Sequence, residues 1–232
     1  MSLLESYCSV LPLSISRHSI GYCLREMARK YVLRRRAERQ EETRRKIVEA
    51  ALELHRTVGP VRSSFSAVAE KAGVERKTLY RHFPDQESLF AACRSRYLAL
   101  NPPPDPSAWL EIANPEARLR LGLAEAYAYY GRNEAMMANI LRDAEVVPVG
   151  AGFLRHRARM VEALADSWRT RGRRRKRLVA ALRIALDFQV WRTLVRENGL
   201  TDREAIELLM AFVRRAAEPA SQARSLPDTM RS

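Results

Sequence analysis

Cysteine is scarce in this sequence, and the spacing of the few cysteines excludes a covalent or metal-bound framework. Three occur among 232 residues, at Cys8, Cys23 and Cys93, far apart and without any Cys-x-x-Cys spacing. An odd and scattered set indicates neither a disulfide network nor a structural zinc site. We therefore predict a protein of the reducing cytoplasm that binds no metal.

Long apolar runs are missing as well. No segment approaches the roughly 18 to 20 apolar residues that span a bilayer. The apolar stretch from Leu11 to Ile15 is followed by Arg17 and His18 before it could form the core of a signal peptide. We expect a chain that is neither secreted nor inserted in a membrane.

Patterns of catalytic residues are also lacking. The four histidines, at His18, His55, His82 and His156, are scattered and lack the cysteines or carboxylates that would accompany a nucleophile, a general base or a metal. No glycine-rich loop that could cradle a phosphate occurs. The sequence predicts no enzyme, no catalytic residue and no cofactor.

Acidic residues are in the minority, 27 against 41 basic ones, and the formal net charge is +14. Such a charge points to an anionic partner, of which DNA is the commonest for a cytosolic chain. Charge alone leaves two interpretations open: sequence-specific DNA binding, or a protein that coats nucleic acid or an anionic membrane without sequence preference.

Helical periodicity dominates what the sequence does contain, and no segment shows the period-two alternation of a strand, so we predict an all-α fold. A first amphipathic helix runs from Thr43 to Val58, where Gly59 and Pro60 end it. Three short helices follow at about 64–71, 75–82 and 84–100, and the proline-rich segment 101–106 is a linker. Later helices are predicted over 107–112, 114–130, 132–145, 150–170, 174–197 and 202–217.

Residues 64–83 have the layout of a helix-turn-helix. Val68 and Leu79 can pack the two helices together, and Gly73 supplies the left-handed backbone of the tight turn. The second helix offers cations for phosphates and groups that can reach base edges in the major groove: Arg76, Lys77, Thr78, Tyr80, Arg81 and His82. Double-stranded DNA is the partner that this segment predicts.

Residues 43–95 closely resemble the tetracycline-repressor (TetR) family. The resemblance rests on the segments TRRKIVEAA (43–51), VAEKAGV (68–74), TLYRHFPD (78–85) and ESLF (87–90). It implies a three-helix DNA-binding domain at 41–101, followed by a helical effector-binding and dimerisation domain at 107–218 and a flexible tail at 219–232. It also implies that Thr78, Tyr80 and His82 contact DNA and that Ser64 touches a phosphate. The predicted DNA-binding set further includes Thr43, Arg44 and Ser66.

Two positions depart from the family pattern. Glu75 stands where a Ser or Thr helix cap is frequent, and Gln86 where a phosphate-binding Lys is frequent. Both changes remove favourable phosphate contacts. Residues 1–40, which we interpret as a basic and flexible arm, can compensate because lysine and arginine contacts release counterions. The arm is equally compatible with a solvated tail, and a third interpretation takes Met27 as the true start.

The second half contains no local motif, and the basic run 171–177 is interpreted as a solvated loop. Its large apolar side chains form a candidate effector pocket: Tyr127, Tyr130, Met137, Ile140, Phe153, Met160, Trp168, Phe188 and Trp191. In most helical proteins such residues simply form the core. The resemblance implies dimerisation through the last two long helices, near Leu182, Phe188, Leu209 and Phe212. We predict a homodimeric repressor that binds a palindromic operator and is released by a small apolar or aromatic effector.

Overall fold

The computed structural model describes residues 17–144 and 151–219, which are helical and contain no strand. The prediction of an all-α fold is confirmed. Nine α-helices lie in the described ranges: α1 (Arg17–Thr57), α2 (Phe65–Ala72), α3 (Arg76–His82), α4 (Gln86–Leu100), α5 (Pro115–Arg142), α6 (Ala151–Asp166), α7 (Gly172–Ala185), α8 (Phe188–Arg192) and α9 (Asp202–Ala217). A 3₁₀ turn at Ala108–Glu111 and a π-helical turn at Thr193–Glu197 complete them. None of these helices is long and apolar enough to cross a membrane.

Two separate cores hold the helices together. The smaller core joins the C-terminal part of α1 to α2, α3 and α4 through side chains such as Ile47, Val68, Leu79 and Leu89. The larger core joins the helices from α5 to α9. Each domain therefore buries its own apolar surface, which is the main stabilising term of a folded domain.

The first helix is longer than the sequence pattern predicts. It begins at Arg17 and runs for 41 residues, so residues 17–40 are helical and continuous with the predicted helix rather than irregular. Every side chain from Arg29 to Glu42 is exposed. An exposed helix has no apolar stripe to reveal it in a sequence, which explains why its start was misplaced. Residues 1–16 of the predicted arm lie outside the described residues.

Three other helix boundaries differ from prediction. Helix α5 continues through Gly131, where a Cβ would make only an ordinary van der Waals contact with the Trp191 ring at 3.8 Å. The helix predicted over 174–197 is interrupted at Asp187, whose carboxylate accepts hydrogen bonds from the backbone N–H of Gln189 (2.8 Å) and of Val190 (3.3 Å) and so starts α8. The basic run after Gly172 forms the first turns of α7, not a loop.

Polar contacts from the end of α5 bind the two domains to each other. The Asn139 amide donates to the backbone carbonyls of His55 (3.1 Å) and Arg56 (2.8 Å) at the end of α1. The Arg142 guanidinium donates to the Val58 carbonyl at 2.9 Å. The carboxylate of Asp143 accepts from the Val61 N–H at 3.1 Å. We call Asn139, Arg142 and Asp143 the interdomain latch.

Candidate DNA interface and effector cavity

The turn between α2 and α3 is built by local chemistry. The Ser64 hydroxyl caps α2 by accepting a hydrogen bond from the Ala67 N–H at 3.1 Å. At the other end Gly73 has φ 66° and ψ 35°, a left-handed conformation that glycine adopts with little strain. The N–H of Val74 then donates to the Ala69 carbonyl at 3.0 Å. The chain reverses here and presents α3 on the surface.

Helix α3 is anchored on one side and free on the other. Leu79 is fully buried in the smaller core, whereas Lys77, Tyr80 and Arg81 are exposed. The first turn of α3 carries no acidic residue, and Glu75 precedes it without making a side-chain capping bond. The exposed face therefore combines cations with a phenol ring, as contacts to phosphates and base edges require.

Tyr80 is held in place before any DNA arrives. Its ring packs against Phe65 with the centroids 5.1 Å apart. The guanidinium carbon of Arg76 lies 5.5 Å from the ring centroid, and its Nη2 lies 3.3 Å from the hydroxyl. A preorganised aromatic side chain loses less conformational entropy when it meets a partner.

Arg44 connects α1 to the end of α3. Its Nη1 donates to the His82 carbonyl at 3.3 Å, and its guanidinium lies 4.3 Å from the centroid of the Phe83 ring. The pKa of His82 is lowered because burial disfavours its charged form, with smaller contributions from Arg81 and Arg44. His82 is therefore neutral near pH 7. Arg44 acts inside the protein by positioning α3, a role that the sequence did not indicate.

The remaining residues of the predicted DNA-binding set are close by on the surface. Ser64, Ser66 and Arg76 are exposed, and Thr43 and Thr78 are half-buried. The hydroxyl of Thr43 donates to the Arg39 carbonyl within α1 at 2.9 Å. The structure thus gathers the predicted residues on α2, α3 and the adjoining part of α1; contact with DNA stays a prediction for each of them.

A cavity of about 210 Å³ lies between the two domains. Its walls come from α1, α4, α5 and α6. Five residues of the predicted effector pocket line it: Tyr130, Met137, Ile140, Phe153 and Met160. It is larger than the roughly 150 Å³ cavity that suffices to bind benzene in another helical protein.

The other four predicted pocket residues lie away from this cavity. Tyr127 is buried and donates to the Ala185 carbonyl at 3.0 Å. Phe188 and Trp191 stack on each other with centroids 5.6 Å apart, and the Trp191 indole donates to Asp202 at 3.0 Å. Trp168 packs on the outside of the larger core. These side chains serve the core of the second domain.

Several cavity residues come from the first domain, and no sequence pattern indicated that they would line a cavity. His55 belongs to α1, and Phe90, Cys93 and Tyr97 belong to α4. Burial lowers the pKa of His55 to about 4 and raises that of Cys93 to about 12. Burial also raises the pKa of Tyr97, whose hydroxyl donates to Asn133. All three side chains are neutral near pH 7, so none of them brings a charge to the cavity.

Charged groups lie at one edge of the cavity. Arg94 of α4 packs against Gly152 near the start of α6, where a Cβ would clash with the guanidinium. Arg159 is exposed and lies 3.0 Å from Nδ1 of His156. Burial and the neighbouring Arg159 lower the pKa of His156. The cavity is thus apolar with a basic edge.

Comparison with known proteins identifies the first domain. Residues 47–93 match the sequence model described as "Bacterial regulatory proteins, tetR family". No curated protein matches the chain.

Solved structures match the fold over about three quarters of this chain. A TetR-like transcriptional regulator from Rhodococcus sp. RHA1 superimposes with a TM-score of 0.51 at 20% identity, over 75% of this chain and 94% of that one. The protein named "Clostridium perfringens putative fatty acid metabolism regulator" gives a TM-score of 0.51 at 17% identity, over 74% of this chain and 97% of that one. At these identities the likeness establishes the fold. The tetR match is confined to residues 47–93, so it shows that the helix-turn-helix region is similar to that of the tetR family of bacterial regulatory proteins.

Proposed function

We propose that this chain is a repressor that binds a palindromic operator as a homodimer and is released by a small apolar or aromatic effector. The observation that carries the proposal is the anchored helix α3, with Leu79 buried beneath an exposed face of Lys77, Tyr80 and Arg81. In a helix-turn-helix such a second helix enters the major groove.

Residues of α3 have different roles in this proposal. Lys77 is exposed on α3 and serves as a phosphate-binding cation. Tyr80, held by contacts with Phe65 and Arg76, is positioned to reach base edges. Phosphate contacts strengthen binding to every sequence, whereas base contacts discriminate among sequences.

Substitution of these two residues tests the proposal. We expect Lys77→Ala to weaken binding to operator and random duplexes alike and to flatten the salt dependence by roughly 0.9 in the slope of log K against log salt per lost phosphate contact. Tyr80→Ala should lower the ratio of operator affinity to random affinity. Equal losses on both duplexes for both variants would contradict the assignment.

A second copy of the chain is the partner that we propose for the outer face of α9. Leu208 and Phe212 are 52% and 42% exposed and lie one turn apart, and Ile184 of α7 is 45% exposed. Three further residues were expected near this interface: Leu182, Phe188 and Leu209. They are buried inside the chain instead, so we assign the interface to the neighbouring exposed positions. Burying a large apolar side chain contributes roughly 1.5–3 kcal/mol.

The cavity supports a route from effector to operator. Met136, Met137 and Ile140 line the cavity, and the interdomain latch lies on the same turns of α5. Occupation of the cavity would displace these turns and, through the latch, the end of α1. An effector changes operator affinity only by its differential affinity for the two conformations, typically 1–3 kcal/mol or about 5- to 150-fold.

A further inference from the structure

We propose that residues 29–42 of α1, here called the extension, form a second DNA-binding element that contacts phosphates next to the base pairs reached by α3. This inference rests on the proposed DNA binding by α3. It assigns a partner to an exposed surface that neither core uses.

One side of the extension points in the same direction as the buried residues of α1, and we call this side the inner face. Ile47 and Ala51 are fully buried and face the smaller core. An α-helix has 3.6 residues per turn, so Arg36 and Arg29, which precede Ile47 by 11 and 18 residues, lie within about 20° of its direction. Unlike Ile47, both arginines are exposed. The inner face therefore passes beyond the first domain carrying Arg36 and Arg29, with Gln40 and the exposed Leu33 on the same side.

Two ion pairs of this part of α1 lie on its other side, and a third joins Lys30 to Glu26 at 3.8 Å, with Glu26 about 60° from the direction of Ile47. Arg34 pairs with Glu38 at 2.9 Å, and Arg45 pairs with Glu42 at 2.7 Å. Around the helix axis, at 100° per residue, Glu42 and Glu38 point about 140° and 180° away from the direction of Ile47. Within the part of the chain that the structure describes, no carboxylate forms an ion pair with Arg29 or Arg36. The inner face thus presents cations that are free to meet an anionic partner.

The position of the extension makes DNA the fitting partner. It leaves the first domain at Arg44, which bonds the carbonyl of His82 at the end of α3 at 3.3 Å. At 1.5 Å per residue, Arg36 and Arg29 lie about 12 Å and 22 Å along the helix from Arg44. Phosphates follow each strand at about 3.4 Å per base pair. A duplex that lies across α3 would pass the inner face over about four to six further base pairs.

The experiment compares two double variants with equal loss of charge. Arg29→Gln with Arg36→Gln removes the inner cations, and Arg34→Gln with Arg35→Gln removes two cations from other sides of the same helix. Affinity for a selected operator and for a random duplex is measured across salt concentrations, with hydroxyl-radical footprints. We expect the inner variant to reduce the slope of log K against log salt by roughly 1.8 per protomer. Its footprint should lose about four to six base pairs per half-site, while the control changes little.

The outcomes separate this inference from the proposed function. Equal effects of both double variants, or an unchanged footprint, would overturn the inference. A smaller mass of the inner variant in light scattering, with normal DNA binding, would also overturn it by assigning the face to a second copy. If Lys77→Ala weakens duplex binding and the inner variant does not, only the inference fails. If neither weakens it, the proposed function itself fails. Circular dichroism checks that each variant keeps its helix.

Discussion

Gly59 is the residue at which the interdomain latch can be tested most sharply. It follows α1 with φ +97°, and a Cβ at this position would overlap the Arg142 guanidinium and lie 2.7 Å from Oδ2 of Asp143. The same oxygen accepts the hydrogen bond from the Val61 N–H. Gly59→Ala therefore combines backbone strain with displacement of the latch. Gly199→Ala introduces backbone strain alone, because Gly199 has φ +72° and no atom lies within 4 Å of the position of its Cβ.

The two variants should differ by the contribution of the latch. A left-handed residue with a Cβ costs roughly 1–2 kcal/mol, which applies to both. A buried acceptor that loses its partner costs roughly 1–3 kcal/mol more, which applies to Gly59→Ala only. We therefore expect a loss of about 2–5 kcal/mol in the free energy of unfolding for Gly59→Ala and about 1–2 kcal/mol for Gly199→Ala.

Urea denaturation at pH 7 measures both losses, and each kcal/mol should also lower Tm by about 2–4 °C for a chain of this size. Equal losses for the two glycines would show that the contacts of Arg142 and Asp143 contribute nothing to stability. In that case the proposed coupling between the cavity and α1 would lose its structural basis.

Four further changes have defined outcomes. Glu75→Ser should stabilise the protein by about 1 kcal/mol, because serine can cap α3, which now starts without a side-chain cap. The same change should tighten operator binding because it removes a negative charge. Weaker operator binding would contradict this prediction. The pKa of His55 falls from 6.5 to about 4 on folding. Between pH 4 and 6.5, His55 therefore binds a proton in the unfolded chain but not in the folded one. The free energy of unfolding should therefore decrease as pH falls from about 6.5 to 4, less steeply in His55→Gln, and identical slopes would refute the assignment. Phe212→Glu should give a monomer mass near 26.6 kDa in light scattering, while the control Leu110→Glu should keep the wild-type mass. A dimer mass for Phe212→Glu would show that α9 is not part of the interface. Met137→Trp should fill the cavity and abolish release by effectors without weakening operator binding, so normal release would exclude this cavity as the effector site.

Local chemistry made much of the first domain predictable. Gly73 and Ser64 stand where a turn and a helix start require them, and Asp85 opens α4 by accepting from the Ser88 N–H at 2.7 Å. These signals lie within a few residues of sequence. They specify the helix-turn-helix without knowledge of tertiary contacts.

Features that depend on distant contacts were not predictable in the same way. The cavity joins His55 and Tyr97 of the first domain to Met137 of the second, and no local pattern indicates that these residues meet. Likewise, periodicity marked Leu182 as apolar but could not tell whether it faced the core of its own chain or a second copy. The helical pattern of an exposed segment such as 29–42 was hidden because its side chains bury nothing.

Selection of bound duplexes from a random pool tests the central claim, that α3 reads a symmetric operator. The full-length protein should enrich a palindrome with half-sites about one helical turn or a multiple of it apart. At about 0.15 M salt it should bind that duplex at least about 1,000-fold more tightly than random DNA. Enrichment of no consensus, with a ratio near one, would contradict the claim and favour a protein that coats nucleic acid through charge alone.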